Sequence, residues 1–148
     1  MVVTELREFN KGSGAWTLAK EFVKASRKIM KAYTELEKQG RLKYATVHER
    51  TLEVDLMKTL PKTLTESVCA NQQRDHKQTI ADITVRSSNK VKGGMVIELK
   101  KADGIKSSHE TQVKKYMRFK PKYKYGMLLV FPKKTPAQRV MVRYYRSD

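Results

Sequence analysis

Asp82, Glu98, Lys100, Gln112 and Tyr116 are the residues of this chain whose types and spacing suit them to chemistry. Asp82 sits in a β-like run from Thr79 to Val85, and Glu98 and Lys100 sit in a second run from Met95 to Lys100. The turn-prone stretch Ser87 to Gly94 lets the two runs pair as a hairpin, which brings Asp82 near Glu98. A strand sends alternate side chains to opposite faces, so Glu98 and Lys100 share a face with Val96 while Ile97 and Leu99 point away. Two carboxylates and a lysine then converge. Together with the main-chain carbonyl of Leu99, the carboxylates offer hard oxygen ligands of the kind magnesium takes. A lysine beside them can orient a water and offset developing negative charge. Gln112 and Tyr116 are four residues apart, one turn from each other on a helix face, with His109 and Phe119 roughly in line.

The elements that must hold these residues can be read from hydrophobic period and breakers. Ala15 to Gln39 reads as a long amphipathic helix with Leu18, Phe22, Ala25, Ile29, Ala32 and Leu36 on one stripe, Ser13 as its cap and Gly40 as its stop. Residues 41–60 satisfy both strand and helix periods, and Leu64 to Ala70 reads as either a strand or a short helix. Gln72 to Lys77 reads as a loop leading into the Asp82 strand. Ser107 opens a helix with Glu110 completing a capping box, and Pro121 ends it. Tyr125 to Phe131 is a continuous apolar run, the mark of a strand buried on both faces, and Arg139 to Tyr145 is a half-exposed final strand. The expected architecture is α/β, a mixed β-sheet flanked by helices. It is one domain over residues 1–148, with a flexible leader at 1–14, a long helix at 15–40 and the core strands and helix at 79–145.

Charge names the class of partner. The chain carries 32 Lys and Arg against 15 Asp and Glu, a formal +17, so nucleic acid is the natural partner and a membrane is not. Hydrophobic residues at 39% are too many for a disordered chain. Cys69 is alone, which excludes an intramolecular disulfide and fits a reducing intracellular compartment, cytoplasmic or nuclear. No Cys/His cluster has zinc spacing, and His48, His76 and His109 read as surface or hydrogen-bonding residues. No apolar run approaches a transmembrane span.

An acidic residue in one strand, Glu-x-Lys in the next and Gln-x-x-x-Tyr on the following helix resembles the PD-(D/E)XK nuclease superfamily, with its restriction-endonuclease-like fold. The likeness covers about residues 79–131; its Pro-Asp pair is absent, since Ala81 precedes Asp82. The resemblance implies a metal-dependent deoxyribonuclease using Mg2+ or Mn2+. Asp82, Glu98 and Leu99 would be metal ligands, Lys100 the lysine near the attacking water, and Gln112 and Tyr116 the helix motif. Members often add a glutamate from a preceding helix. Glu49 or Glu53 would serve if 47–58 is helical, and Glu21 or Glu35 if the long helix plays that part; Asp55 is a rival for the strand aspartate.

Lys101, Lys106, Lys114, Lys115, Arg118, Lys120 and Lys122 surround this site as expected contacts to the DNA backbone, while Phe119 and Tyr125 are expected in the core. The alternative is a basic nucleic-acid-binding module on the same fold without catalysis. Whether two copies pair as a homodimer to cut both strands stays open.

Overall fold

The computed structural model describes residues 2–65, 68–70, 83–118 and 123–148. Its first element corrects the expected leader. Strand β1 (Val3–Leu6) pairs antiparallel with the last strand of the chain, Val3 opposite Ser147 and Leu6 opposite Tyr144. Phe9 anchors the segment that follows, buried with its ring 5.1 Å from those of both Tyr125 and Tyr144. The Gly and Ser residues around position 12 therefore mark only the turn into the next helix.

That helix, α1 (Gly14–Lys38), starts as expected, with the Ser13 side chain accepting the Trp16 N–H at 3.2 Å. Leu18, Phe22, Ala25 and Ile29 are buried, whereas Ala32 is exposed and Leu36 half-buried. Each large apolar side chain so buried is worth about 1.5–3 kcal/mol. Gly40 terminates the helix at φ +67°, where its N–H reaches Glu37 O at 3.0 Å and the Arg41 N–H reaches Leu36 O at 3.0 Å. Those two bonds satisfy carbonyls that a helix end otherwise leaves open.

The ambiguous stretch resolves as a 3-10 turn at Tyr44–Thr46 followed by α2 (Glu49–Thr59). Tertiary contact decides between the two periods. Leu52, Leu56 and Leu60, four apart, are buried in the core shared with α1, and the Tyr33 hydroxyl of α1 donates to Asp55. Asp55 is thus a helix residue, not a strand aspartate. Beyond Pro61 come a single turn, α3 (Lys62–Thr65), and a short strand, β2 (Val68–Ala70), so the segment read as helix or strand holds one of each.

The remaining elements are β3 (Ile83–Val85), β4 (Met95–Lys101), α4 (Ser107–Arg118), β5 (Tyr125–Phe131) and β6 (Met141–Ser147). β6 starts two residues later than expected. Residues 72–77, Asp82, Phe119, Lys120, Pro121 and Lys122 lie outside the described residues. The sheet order is β1-β6-β5-β4-β3-β2, antiparallel except for the parallel pair β4–β5, which α4 connects. β4 and β5 occupy the middle, and the apolar run of β5 is buried on both faces from Gly126 onward.

Two cores result. On one face Met95, Ile97, Leu99, Met127, Leu129 and Phe131 meet α1 and α2. On the other, Val96, Leu128, Val130 and Tyr145 meet Val113, Tyr116 and Met117 of α4. Gly126 sets the closeness of the second contact: a Cβ there would stand 2.5 Å from Met117 Sδ and 2.8 Å from Val113 Cγ1. Among the described residues, no helix is long and apolar enough to cross a membrane.

Candidate active site

β4 carries the expected alternation. Glu98 is buried on the side of Val96, and the Lys100 ammonium lies 3.5 Å from Glu98 Oε1. The side chains are 2% and 21% exposed, so the carboxylate is sequestered while the lysine reaches toward solvent. A carboxylate this buried is retained at a cost in desolvation, which a facing cation offsets. α4 lies over the same face. There Gln112 Nε2–H donates to the Tyr116 hydroxyl at 2.8 Å, and Tyr116 is buried against the sheet while Gln112 is half-buried. The structure therefore brings Glu98, Lys100, Gln112 and Tyr116 to one side of the sheet.

Among the described residues, β3 pairs with β4 through Ile83 opposite Ile97, Thr84 opposite Val96 and Val85 opposite Met95, and Asp82 lies outside the described residues. Beyond that point α2 takes over: Glu49 Oε1 accepts the Lys101 main-chain N–H at 2.9 Å. The next N–H, that of Ala102, bonds Phe131 O at 3.0 Å on the β5 side. Because main-chain groups alternate edges along a strand, Leu99 directs its N–H and C=O to the same edge as Lys101. Its side chain, 1% exposed, packs in the larger core.

Of the four glutamates considered, the helix α2 selects two. Glu53 follows Glu49 by one turn on the same face and is 7% exposed, buried rather than solvated. Glu35 is exposed and pairs with Lys38 at 3.8 Å, and Glu21 lies on α1 outside this edge.

The family model of the PD-(D/E)XK nuclease superfamily matches residues 23–143, more than half of the chain. The chain belongs to that superfamily. No curated protein matches it. The crystal structure of SSO0001 is similar at 17% identity and a TM-score of 0.45, covering 87% of this chain and 66% of that one. The chain thus spans just under two thirds of SSO0001.

PD-(D/E)XK nucleases generally use divalent metals and act on nucleic acid, and the donors at β4 can be tested against that use. Among the described residues, no three His, Cys, Asp or Glu side chains come together as a ligand set. Glu98 and Glu53 are buried carboxylates, and with the Leu99 carbonyl they offer oxygen donors with no thiolate among them. Hard oxygen donors fit a hard divalent cation.

The basic residues divide. Lys106, Lys115 and Arg118 are exposed, and Lys114 reaches back over the Tyr145 ring at 5.7 Å. Thr111, Lys114, Lys115 and Arg118 line an open groove of about 500 Å³ on α4. Lys101 bonds within the protein. Its ammonium donates to the carbonyls of Tyr44 at 2.8 Å, Ala45 at 3.3 Å and Val47 at 2.6 Å, and lies 4.4 Å from the Tyr44 ring centroid. Partial burial pulls its pKa down, against the opposing pull of Glu49. Strand alternation held the signal: Lys101 falls on the opposite face from Glu98 and Lys100. Tyr125, expected in the core, is half-buried against Phe9.

Two further residues escaped the sequence reading. Glu110 makes no capping box with Ser107, which lies inside the helix with its carbonyl accepting from Thr111 Oγ1 at 3.0 Å. Instead Glu110 Oε1 accepts from the Tyr145 hydroxyl at 2.6 Å and from Arg143 at 3.0 Å, and Arg143 also faces Glu5 at 3.4 Å. These bonds hold the Glu110 carboxyl below its ordinary pKa, the Tyr145 hydrogen bond contributing most. Burial pushes the Tyr145 hydroxyl up, and the Glu110 bond adds to it. His109 fills the N-terminal role assigned to Glu110: its Nδ1 accepts the Lys106 main-chain N–H at 3.2 Å, while Lys106 O receives the His109 and Glu110 amides.

Proposed function

We propose that the chain is a deoxyribonuclease that hydrolyses phosphodiester bonds with Mg2+ or Mn2+ held by Glu98, Asp82 and the Leu99 carbonyl. The observation that carries this reading is the buried Glu98 with Lys100 3.5 Å away, on the face that the bonded Gln112–Tyr116 pair covers. A buried ion pair is poor stabilisation by itself, so its retention on the face that carries the Gln112–Tyr116 pair favours a role in chemistry. Glu53, buried one turn from the Glu49 contact, is a further candidate ligand.

A divalent cation bound there would polarise the phosphoryl oxygen and make a bound water more acidic. Lys100, less buried than its partner, orients the attacking water and offsets charge as it builds on the phosphate. Tyr116 is held by Gln112, and Gln112 remains accessible enough to meet a phosphate oxygen. The Lys114, Lys115 and Arg118 groove lies on the same helix and suits a sequence-independent grip on the DNA backbone, and Lys106, Lys120 and Lys122 are further proposed backbone contacts.

The test is cleavage of linear, supercoiled and branched DNA by the wild type and Glu98→Ala, with Mg2+, Mn2+ or chelator, at matched salt because phosphate binding is salt-dependent. Metal-dependent cutting that disappears in the variant is expected. Tight binding with no cutting of any substrate in either metal would refute catalysis and leave a binding module.

A further inference from the structure

We infer that His109 is a phosphate-contacting residue of this site, presenting its Nε2–H to a phosphate oxygen of the nucleic-acid strand beside Lys100; the inference rests on the nuclease reading above. The first observation is placement. The connection from β4 to α4 is short, so the first turn of α4 stands at the end of β4 where Lys100 lies. His109, Gln112 and Tyr116 follow one another at three and four residues, which puts them on one helix stripe. His109 thus extends the bonded Gln112–Tyr116 row toward the strand end, and it remains only half-buried.

The second observation is the tautomer. Nδ1 accepts the Lys106 main-chain N–H at 3.2 Å, so that nitrogen carries a lone pair and the proton of a neutral ring sits on Nε2. The ring is therefore a donor on its outer side and has no second lone pair with which to take a proton from water. This makes it a phosphate-binding group rather than a general base.

The third observation is the electrostatic setting. Burial and the cations Lys100 on β4 and Lys106 before α4 pull the His109 pKa down, while Glu49 on α2 pulls it up. A neutral N–H donor lying among two lysines and the first turn of a twelve-residue helix meets a field that favours an anion. Protonation of Nδ1 would break the Lys106 bond, which reinforces the neutral form.

Two variants separate capping from contact. His109→Asn places an amide oxygen near the position of Nδ1, keeping the acceptor for Lys106 and removing the outer donor. His109→Gln reaches the outer position and restores a donor. Expected for His109→Asn is an unchanged Tm with a fall in kcat/KM of roughly tenfold to a hundredfold, borne mainly by KM, and partial recovery in His109→Gln. Nitrogen NMR of the metal-free protein should show the Nε2–H tautomer, and a short DNA duplex added with chelator should shift that resonance. An Nδ1–H tautomer, or a His109→Asn enzyme with wild-type kcat/KM, would overturn the inference. If the wild type cuts nothing, the nuclease reading falls separately, and the duplex titration decides: a shifted Nε2–H keeps His109 as a phosphate contact, and an unshifted one removes it.

Discussion

Lys100 and Lys101 are neighbours in sequence and opposites in use. Lys100 lies 3.5 Å from the buried Glu98 on the α4 face, its own side chain 21% exposed. Lys101 turns toward α2 and spends its three donors on carbonyls of the 44–47 turn. The same division separates the two faces of β4. Ile97 and Leu99 lie in the large apolar core with α1 and α2, whereas Val96, Glu98 and Lys100 lie under the smaller α4 layer, where polar groups are interleaved with packing. One strand thus supplies an apolar anchor on one side and a charged pair on the other. A site gains precision when its groups stand on an element whose far face cannot shift.

Substitutions on the two faces should therefore fail in different ways. The largest effect is expected from Glu98→Gln, which removes the charge at nearly constant shape: DNA cleavage should drop by roughly a hundredfold to a thousandfold while circular dichroism and Tm hold. Loss of folding instead would make Glu98 a structural residue and erase the contrast. Lys100→Met should reduce kcat by about a hundredfold with DNA affinity nearly intact, as a group acting mainly in the transition state must.

Across the strand, Leu99→Ala should cost about 2–5 kcal/mol in urea unfolding through the cavity it leaves, since its side chain is 1% exposed. Its carbonyl is unaffected, so the folded fraction should retain activity. Lys101→Met should cost about 1–3 kcal/mol by leaving carbonyls of the 44–47 turn without their donor. Cleavage per folded molecule should stay at the wild-type level. A Lys101→Met protein that is stable but weak in DNA binding would return Lys101 to the phosphate-contacting set.

The smallest expected effect concerns Glu110, which ties α4 to β6. Its folded-state pKa lies below the ordinary carboxylate value, so the folded protein binds fewer protons than the unfolded chain. Its contribution is complete above about pH 4.3 and is lost as pH falls through the folded-state pKa. Tyr145→Phe removes the larger cause of that shift, and the acid-unfolding midpoint should move to higher pH. An unmoved midpoint would assign acid sensitivity elsewhere.

The legible parts of this molecule were those governed by local period. Alternation in β4 put Glu98 and Lys100 on one face, four-residue spacing joined Gln112 to Tyr116, and the unbroken apolar run announced a central β5. Ser13 and Gly40 marked the ends of α1 through cap chemistry that acts within a few residues. The same alternation separated Lys101 from Lys100, although its use depended on a distant turn.

The tertiary structure decided what distant partners settle. Residues 1–14 carried no strand signal strong enough to stand out, yet Val3–Leu6 is a strand because β6 offers it an edge. Residues 41–60 satisfied two periods, and the buried contact with α1 decided for a helix over Glu49–Thr59. Glu110 could have capped its own helix, but Tyr145 and Arg143 reach its carboxylate from β6 and leave His109 to bind the Lys106 amide. The physical reason is common to all three. A period or a cap is set by bonds between near neighbours, which the sequence writes directly, whereas an edge, a buried face or a salt-bridge partner exists only once the chain has folded back on itself.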